Sequence, residues 1–75
     1  MTGQFDIEID LNGWLIPIHV EQKGEGIFKV AYGRTTLGIL LKNQGSNWSY
    51  AQNLLSKGLL NKVTSEKISR AITNY

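Results

Sequence analysis

The chain has 75 residues, of which 41% are hydrophobic and 19% charged, and its formal net charge is +2 at pH 7. This length suits a single small domain spanning residues 1–75, and the composition is that of a folded chain. The chain has no cysteine and one histidine, which excludes disulfides and the usual Cys/His zinc site, and we expect no metal or cofactor.

The first two elements have the pattern of a β-hairpin. Apolar side chains alternate with acidic ones over residues 5–11, and the alternation resumes over residues 14–20. This period of two predicts two strands that each bury one face. Asn12-Gly13 lies between them and is the dipeptide best suited to a type I′ turn. With a two-residue turn, apolar residues pair with apolar residues, which supports this register.

Pro17 lies within the second predicted strand. It falls opposite Glu8 in a non-hydrogen-bonded pair, so its missing N–H faces away from the first strand. The second strand is therefore either an edge at this point or bulged where a third strand joins it. We favour the bulge, because a simple meander is the commoner connection.

A second hairpin follows over residues 28–41. Gly33-Arg34 forms a two-residue turn, which places Val30 opposite Leu37 and Phe28 opposite Ile39. The predicted register puts three residues of the fourth strand on the buried face: Leu37, Ile39 and Leu41.

Residues 49–60 admit more than one interpretation. Trp48 and Tyr50 fit a short fifth strand at the end of the sheet. Ser49 with Gln52 resembles a capping box, and Gly58 suits the end of a short helix. Strand, helix and loop therefore all stay open for this segment.

The last segment predicts an α-helix. Thr64 is the expected N-cap, Glu66 falls in the first turn, and Val63 with Ile68 has the spacing of a hydrophobic staple. From Ile68 to Tyr75, apolar residues recur at the spacing of one helix face. So short a helix is not stable alone, so this face must pack on the sheet.

Together these elements predict an α+β fold. It is an antiparallel four-stranded β-meander of two hairpins, with a candidate short fifth strand and a C-terminal α-helix packed on one face. This order is similar to that of many small bacterial domains without an assigned activity, and no motif distinguishes one such family.

The sheet face opposite the helix is the predicted main functional surface. It carries more aliphatic side chains than a solvated face requires, although scattered aliphatic residues are also normal on surfaces. We therefore expect a protein-interaction or self-associating module that binds a protein partner or forms a homodimer. The residues expected on this interaction face are Leu15, His19, Ile27, Ala31 and Leu40.

Catalysis and metal binding have little support in the sequence. The predicted register puts His19 opposite Asp6, but no nucleophile or pocket pattern accompanies the pair, so we expect no catalytic residues and no enzyme activity. Asp6, Glu8 and Asp10 lie on one strand face about 7 Å apart, too far for them to chelate a metal alone. The acidic row is better explained as a solvated strand face.

Charge is segregated along the chain, which supports an alternative function. Residues 1–28 hold five of the six carboxylates, whereas residues 29–75 hold seven of the eight cations. The segregation indicates either a partner of opposite sign or two parts of one fold that attract each other. The segment from residue 54 to residue 75 resembles a helix-turn-helix DNA-binding unit, with a turn that is longer than usual. This resemblance implies nucleic-acid binding through Lys57, Lys62, Lys67 and Arg70.

The sequence also predicts a location. No apolar run approaches the roughly 20 residues that span a bilayer, and the N-terminus has no signal-peptide pattern. We therefore expect a cytoplasmic protein that does not bind membranes.

Overall fold

A computed structural model describes residues 3–43, 45, 47–52 and 60–75. Within these residues the chain forms an antiparallel sheet followed by an α-helix. The elements are β1 (Gln4–Leu11), β2 (Trp14–Gly24), β3 (Ile27–Tyr32), β4 (Thr35–Lys42), β5 (Trp48–Gln52) and α1 (Lys62–Thr73). Each strand pairs with the next in the order β1-β2-β3-β4-β5. The predicted α+β meander is confirmed, and the candidate fifth strand is present.

The β1–β2 hairpin has the predicted register along its whole length, from Leu11 opposite Trp14 to Phe5 opposite Val20. Asn12 and Gly13 have φ values of 54° and 87°, as a type I′ turn requires. The Gly13 N–H also donates to a carboxylate oxygen of Asp10 at 2.9 Å. Local sequence is therefore sufficient to explain this hairpin.

Pro17 lies on a stretch of β2 that pairs with β1 but not with β3. β3 pairs with β2 only from His19 to Gly24, because β3 ends at Tyr32 before it reaches Pro17. The edge interpretation of Pro17 is correct, and the bulge that we favoured there is wrong. The irregularity in this strand pair lies instead between Gln22 and Gly24.

The β3–β4 hairpin departs from the predicted register by one residue. Ala31 pairs with Thr36, but Val30 pairs with Gly38, so Leu37 is an extra residue in β4. Gly38 has a φ of 153°, which L side chains rarely adopt. A Cβ atom on Gly38 would collide with the carbonyl oxygen of Ala51 and lie 2.6 Å from the Leu60 side chain. Only glycine fits this bulge.

The bulge exchanges the two faces of β4, because side chains alternate along a strand. Leu37 is buried as predicted, and Leu40 is also buried. Ile39 and Leu41, predicted to be buried, are instead exposed on the other face. The assignment of Leu40 to the free face is therefore wrong: its side chain is 0% exposed.

The core lies between the sheet and α1. The backbone of α1 approaches β1 and β5, the two edge strands, so the helix closes the open side of a curled sheet. Ile68 is fully buried, and Ala71 and Ile72 pack against the core, which confirms the predicted helix face as far as Ile72. Tyr75, predicted on the same face, lies beyond α1 and is 75% exposed. The buried apolar residues are Ile7, Ile9, Ile18, Val20, Phe28, Val30, Leu37, Leu40, Leu60 and Ile68.

The helix begins earlier than predicted. Asn61, not Thr64, is the N-cap, and its side chain accepts the N–H groups of Val63 and Thr64 at 2.9 and 3.1 Å. The Thr64 hydroxyl accepts the Asn61 N–H in return at 2.8 Å. This reciprocal pair forms a capping box. The predicted staple is absent, since Val63 is 58% exposed, and Glu66 lies beyond the first turn.

The structure decides between the alternatives for part of residues 49–60. Residues 49–52 belong to β5, so the interpretation of Ser49 and Gln52 as a helix start is wrong. Gly58 and the first helix of the helix-turn-helix resemblance lie outside the described residues. The second helix of that resemblance corresponds to α1.

Candidate interaction surface

The sheet face turned away from α1, which we call the outer face, divides into two chemically different sides. On the β1 side, Asp6, Glu8 and Asp10 are all exposed. On the β3–β5 side, aliphatic residues and Lys29, which pairs with Ile39, take the place of the carboxylates. This division follows from the two different alternations, acidic in β1 and aliphatic in β4.

Three aliphatic residues of the outer face, Ile27, Ile39 and Leu41, form what we call the aliphatic cluster. Ile27 pairs directly with Leu41, and Ile39 lies two residues before Leu41 on the same face of β4. Their side chains are 37–38% exposed. On β5, the small residues Ser49 and Ala51 pair with Leu41 and Ile39. The cluster is therefore contiguous across two strands. On the β5 side its neighbours have small side chains.

The structure brings together only part of the predicted interaction face. Leu15, His19, Ile27 and Ala31 do lie on the outer face, whereas Leu40 is in the core. Leu15 is 67% exposed, but it pairs with Asp10 beside the β1–β2 turn, away from the aliphatic cluster.

Ile39 and Leu41 lie on the surface, although the alternation in β4 predicted that they would be buried. One signal was present, because a glycine inside a strand often marks a bulge. Gly38 directly precedes the run Ile39, Leu40 and Leu41. The alternation alone could not show which way the strand would turn after it.

His19 and Asp6 form the expected cross-strand pair on the outer face. The imidazole Nδ1 lies 2.8 Å from Asp6 Oδ1, and both side chains are well exposed. The next residue across the sheet is Ala31, which supplies no reactive group. The pair can hold the imidazole in place and stabilise the strand pairing.

Three of the four predicted nucleic-acid residues, Lys62, Lys67 and Arg70, lie on α1. The Lys67 ammonium donates to the Asp10 carbonyl oxygen at 2.7 Å, which ties α1 to β1. Lys62 and Arg70 are exposed, and Lys57 lies outside the described residues. At about 100° per helical residue, Lys62, Arg70 and Lys67 project within one arc of about 140°. Glu66 also lies within this arc, between Lys62 and Arg70, so it interrupts the basic side of α1.

The charge segregation of the sequence has a partly internal explanation. α1 packs against β1, so the cationic end of the chain lies on its most acidic strand. Within the sheet, Lys23 forms an ion pair with Glu21, and Glu21 pairs across the strands with Lys29. Opposite charges are thus brought together within one molecule.

Comparison with protein-family models, curated proteins and solved structures found no match. Among residues 3–43, 45, 47–52 and 60–75, no cluster of three or more His, Cys, Asp or Glu side chains is arranged to hold a metal ion. In the same part of the chain, no helix has the length and apolar character to cross a membrane.

Proposed function

We propose that this protein is a small non-enzymatic interaction module that self-associates through the aliphatic cluster of its outer face. The observation that carries the proposal is the placement of Ile27, Ile39 and Leu41. Each is more than a third exposed, on a face that none of the described elements covers. Burying apolar surface contributes about 25 cal/mol per Å², so a second copy of the same cluster is a favourable partner.

The charge distribution selects one arrangement of the two copies. A two-fold axis parallel to β4 would place the two clusters face to face and the two β1 strands on opposite sides. The carboxylates of Asp6, Glu8 and Asp10 would then project away from each other. An axis perpendicular to the strands would instead stack the acidic sides and create repulsion. The first arrangement is the one we propose.

The neighbouring strand supports close approach of the second copy. In the proposed arrangement, β5 of one copy lies over β3 of the other. Ser49 and Ala51 present small side chains at this position, which allows two sheets to approach to the usual distance of about 10 Å. Because the patch covers only part of one face, we expect a weak, reversible dimer.

Sedimentation velocity over a range of protein concentrations tests this proposal. We expect a concentration-dependent dimer in the unmodified protein and a monomer in an Ile39→Lys variant. The matched control is Leu15→Lys, which adds the same charge to the outer face outside the cluster and should leave the dimer intact. Thermal unfolding of both variants checks that neither substitution disrupts the fold.

Three results would contradict the proposal. The first is a monomer mass at every concentration, and the second is an equal loss of dimer in the two variants. The third is a dimer that dissociates as salt is added, because screening weakens charged contacts between copies but not apolar ones.

The alternative function, nucleic-acid binding by Lys57, Lys62, Lys67 and Arg70, stays a prediction. Glu66 lies among the described cations of this set on α1, and Lys67 already contacts β1, so the geometry favours self-association. Adding a short DNA duplex or single strand to the sedimentation experiment tests the alternative directly. Comigration at low salt and release at high salt would support it.

A further inference from the structure

The core opens into a cleft where α1 approaches the β4–β5 end of the sheet. Two adjoining cavities of about 450 and 290 Å³ form this end cleft. They share Lys42, Trp48 and Thr73 as lining residues. These volumes are in the range of small-molecule sites in proteins. The cleft lies on the inner side of β4, and the aliphatic cluster lies on its outer side.

One part of the end cleft has an aromatic wall. Trp48 packs against Phe28 with ring centroids 5.6 Å apart and the planes tilted by 37°. Phe5 stacks on Tyr75 at 4.2 Å, with an interplanar angle of 26°. All four rings line the smaller cavity. A wall of this kind suits the planar face of a base, because base stacking on aromatic side chains is favourable for every base.

The other part of the end cleft has cationic and polar groups. Lys42 and Arg70 line the larger cavity together with Asn47, Ser69 and Thr73. Within the part of the chain that the structure describes, neither cation forms an ion pair or a side-chain hydrogen bond. Two unpaired cations beside a cavity suit a phosphate group, which accepts charge-assisted hydrogen bonds from both.

Both cations are held on ordered backbone. The Lys42 N–H donates to the Gly26 carbonyl oxygen at 2.8 Å, which fixes the end of β4. Arg70 lies in the last turn of α1, and its carbonyl oxygen accepts the capping N–H of Asn74 at 3.0 Å. A site on such fixed elements loses less entropy when a ligand binds.

We propose that the end cleft binds a nucleoside phosphate, with the base against the aromatic wall and the phosphate between Lys42 and Arg70. The ligand is either a free nucleotide or the phosphorylated end of a single strand, since both present the same base and phosphate. Glu66 also lines the larger cavity and repels the phosphate. This site is independent of the proposed self-association.

Titration with adenosine monophosphate, followed by ¹⁵N NMR, tests the site with an internal reference. Trp48 lines the cleft, whereas Trp14 is 74% exposed beside the β1–β2 turn. We expect a saturable shift of the Trp48 signal and no shift of the Trp14 signal. A Trp14→Phe variant assigns the two signals. Adenosine and inorganic phosphate, each half of the ligand, should bind at least about tenfold more weakly.

Four variants separate the proposed contacts from general charge effects. Lys42→Gln and Arg70→Gln should each weaken nucleotide binding by about fivefold or more, and Glu66→Gln should strengthen it. Arg34→Gln is the matched control, because it removes one cation at the opposite end of β4 and should leave binding unchanged. The amide spectrum of each variant reports whether the fold is intact, and Ile39→Lys should not affect binding.

A short 5′-phosphorylated oligodeoxyadenylate distinguishes the two sources of the ligand. If it binds at least about tenfold more tightly than the nucleotide, the ligand is a strand end; equal or weaker binding indicates a free nucleotide. No shift of Trp48 with either probe at millimolar concentration would overturn the proposal. An equal loss of affinity in Arg34→Gln and Lys42→Gln would overturn it as well.

Discussion

The two hairpins of the sheet follow the same sequence rules and reach different outcomes. The β1–β2 hairpin pairs residue for residue from its Asn12-Gly13 turn to Gln4. The β3–β4 hairpin starts in the predicted register at Tyr32 and Thr35 and shifts by one residue at Leu37. A turn therefore fixes the pairing beside it, but it does not fix the strand beyond a bulge.

The difference between the hairpins has a functional consequence. Without the bulge, Ile39 and Leu41 would lie in the core and Leu40 on the outer face. With the bulge, Leu40 fills the core and the aliphatic cluster forms outside. One extra residue in β4 thus creates the surface through which we propose that the protein self-associates.

The largest expected effect comes from breaking the bulge with Gly38→Ala. The new Cβ would collide with the Ala51 carbonyl oxygen and press on Leu60, and φ at this position is unfavourable for alanine. We expect a loss of about 3–5 kcal/mol in the free energy of unfolding, measured by urea denaturation.

Gly13→Ala is the matched control in the first hairpin. Gly13 also has a positive φ, but a Cβ there meets nothing within 4 Å. We therefore expect backbone strain alone to lower the free energy of unfolding, by about 1–2 kcal/mol. Equal losses in the two glycine variants would show that the close approach of β5 and Leu60 to Gly38 has no role.

Two neighbouring leucines of β4 sharpen the comparison further. Leu40 is 0% exposed and Leu41 is 37% exposed. We expect Leu40→Ala to reduce the free energy of unfolding by about 3 kcal/mol, because it leaves a cavity in the core. Leu41→Ala should reduce it by about 0.5 kcal/mol or less in the monomer. The reverse order in urea denaturation would mean that β4 keeps the unbulged register.

The smallest effect concerns the two turns. Asn12 has a φ of 54° in the first turn, and asparagine tolerates this conformation better than alanine. We expect Asn12→Ala to reduce the free energy of unfolding by about 1 kcal/mol. In the second turn Gly33 has a φ of 59° and Arg34 has no positive φ, so Arg34→Ala should change it by less than about 0.5 kcal/mol. Thermal denaturation of both variants measures the difference between their losses of stability. Equal losses would mean that the turns do not set the strand registers.

The candidate site was predictable only where a single strand pair defined it. Leu15 and His19 were placed correctly on the outer face, because β2 follows the type I′ turn without interruption. Ile39 and Leu41 were missed, because their direction depends on contacts that β4 makes with β5 and Leu60. These partners are distant in the chain, and alternation within β4 carries no information about them.

The end cleft could not be predicted from the sequence either. In the sequence, Trp48 was assigned only to the candidate fifth strand, and Arg70 only to the cations of the last helix. Their approach to Lys42 across one cavity depends on the curl of the sheet and on the docking of α1 between the two edge strands. No local pattern specifies that geometry.

The sequence by itself determined the order of the first four strands of this protein, the first hairpin with its turn, and the amphipathic helix. Each depends on neighbours a few residues apart, through alternation, turn conformation and helical spacing. Only the tertiary structure decided where β4 bulges, where the helix begins and which side chains are left outside. These outcomes depend on the space available between segments that are distant in the chain, such as the space that Gly38 leaves for Ala51 and Leu60. That space is defined only once the sheet has packed on the helix.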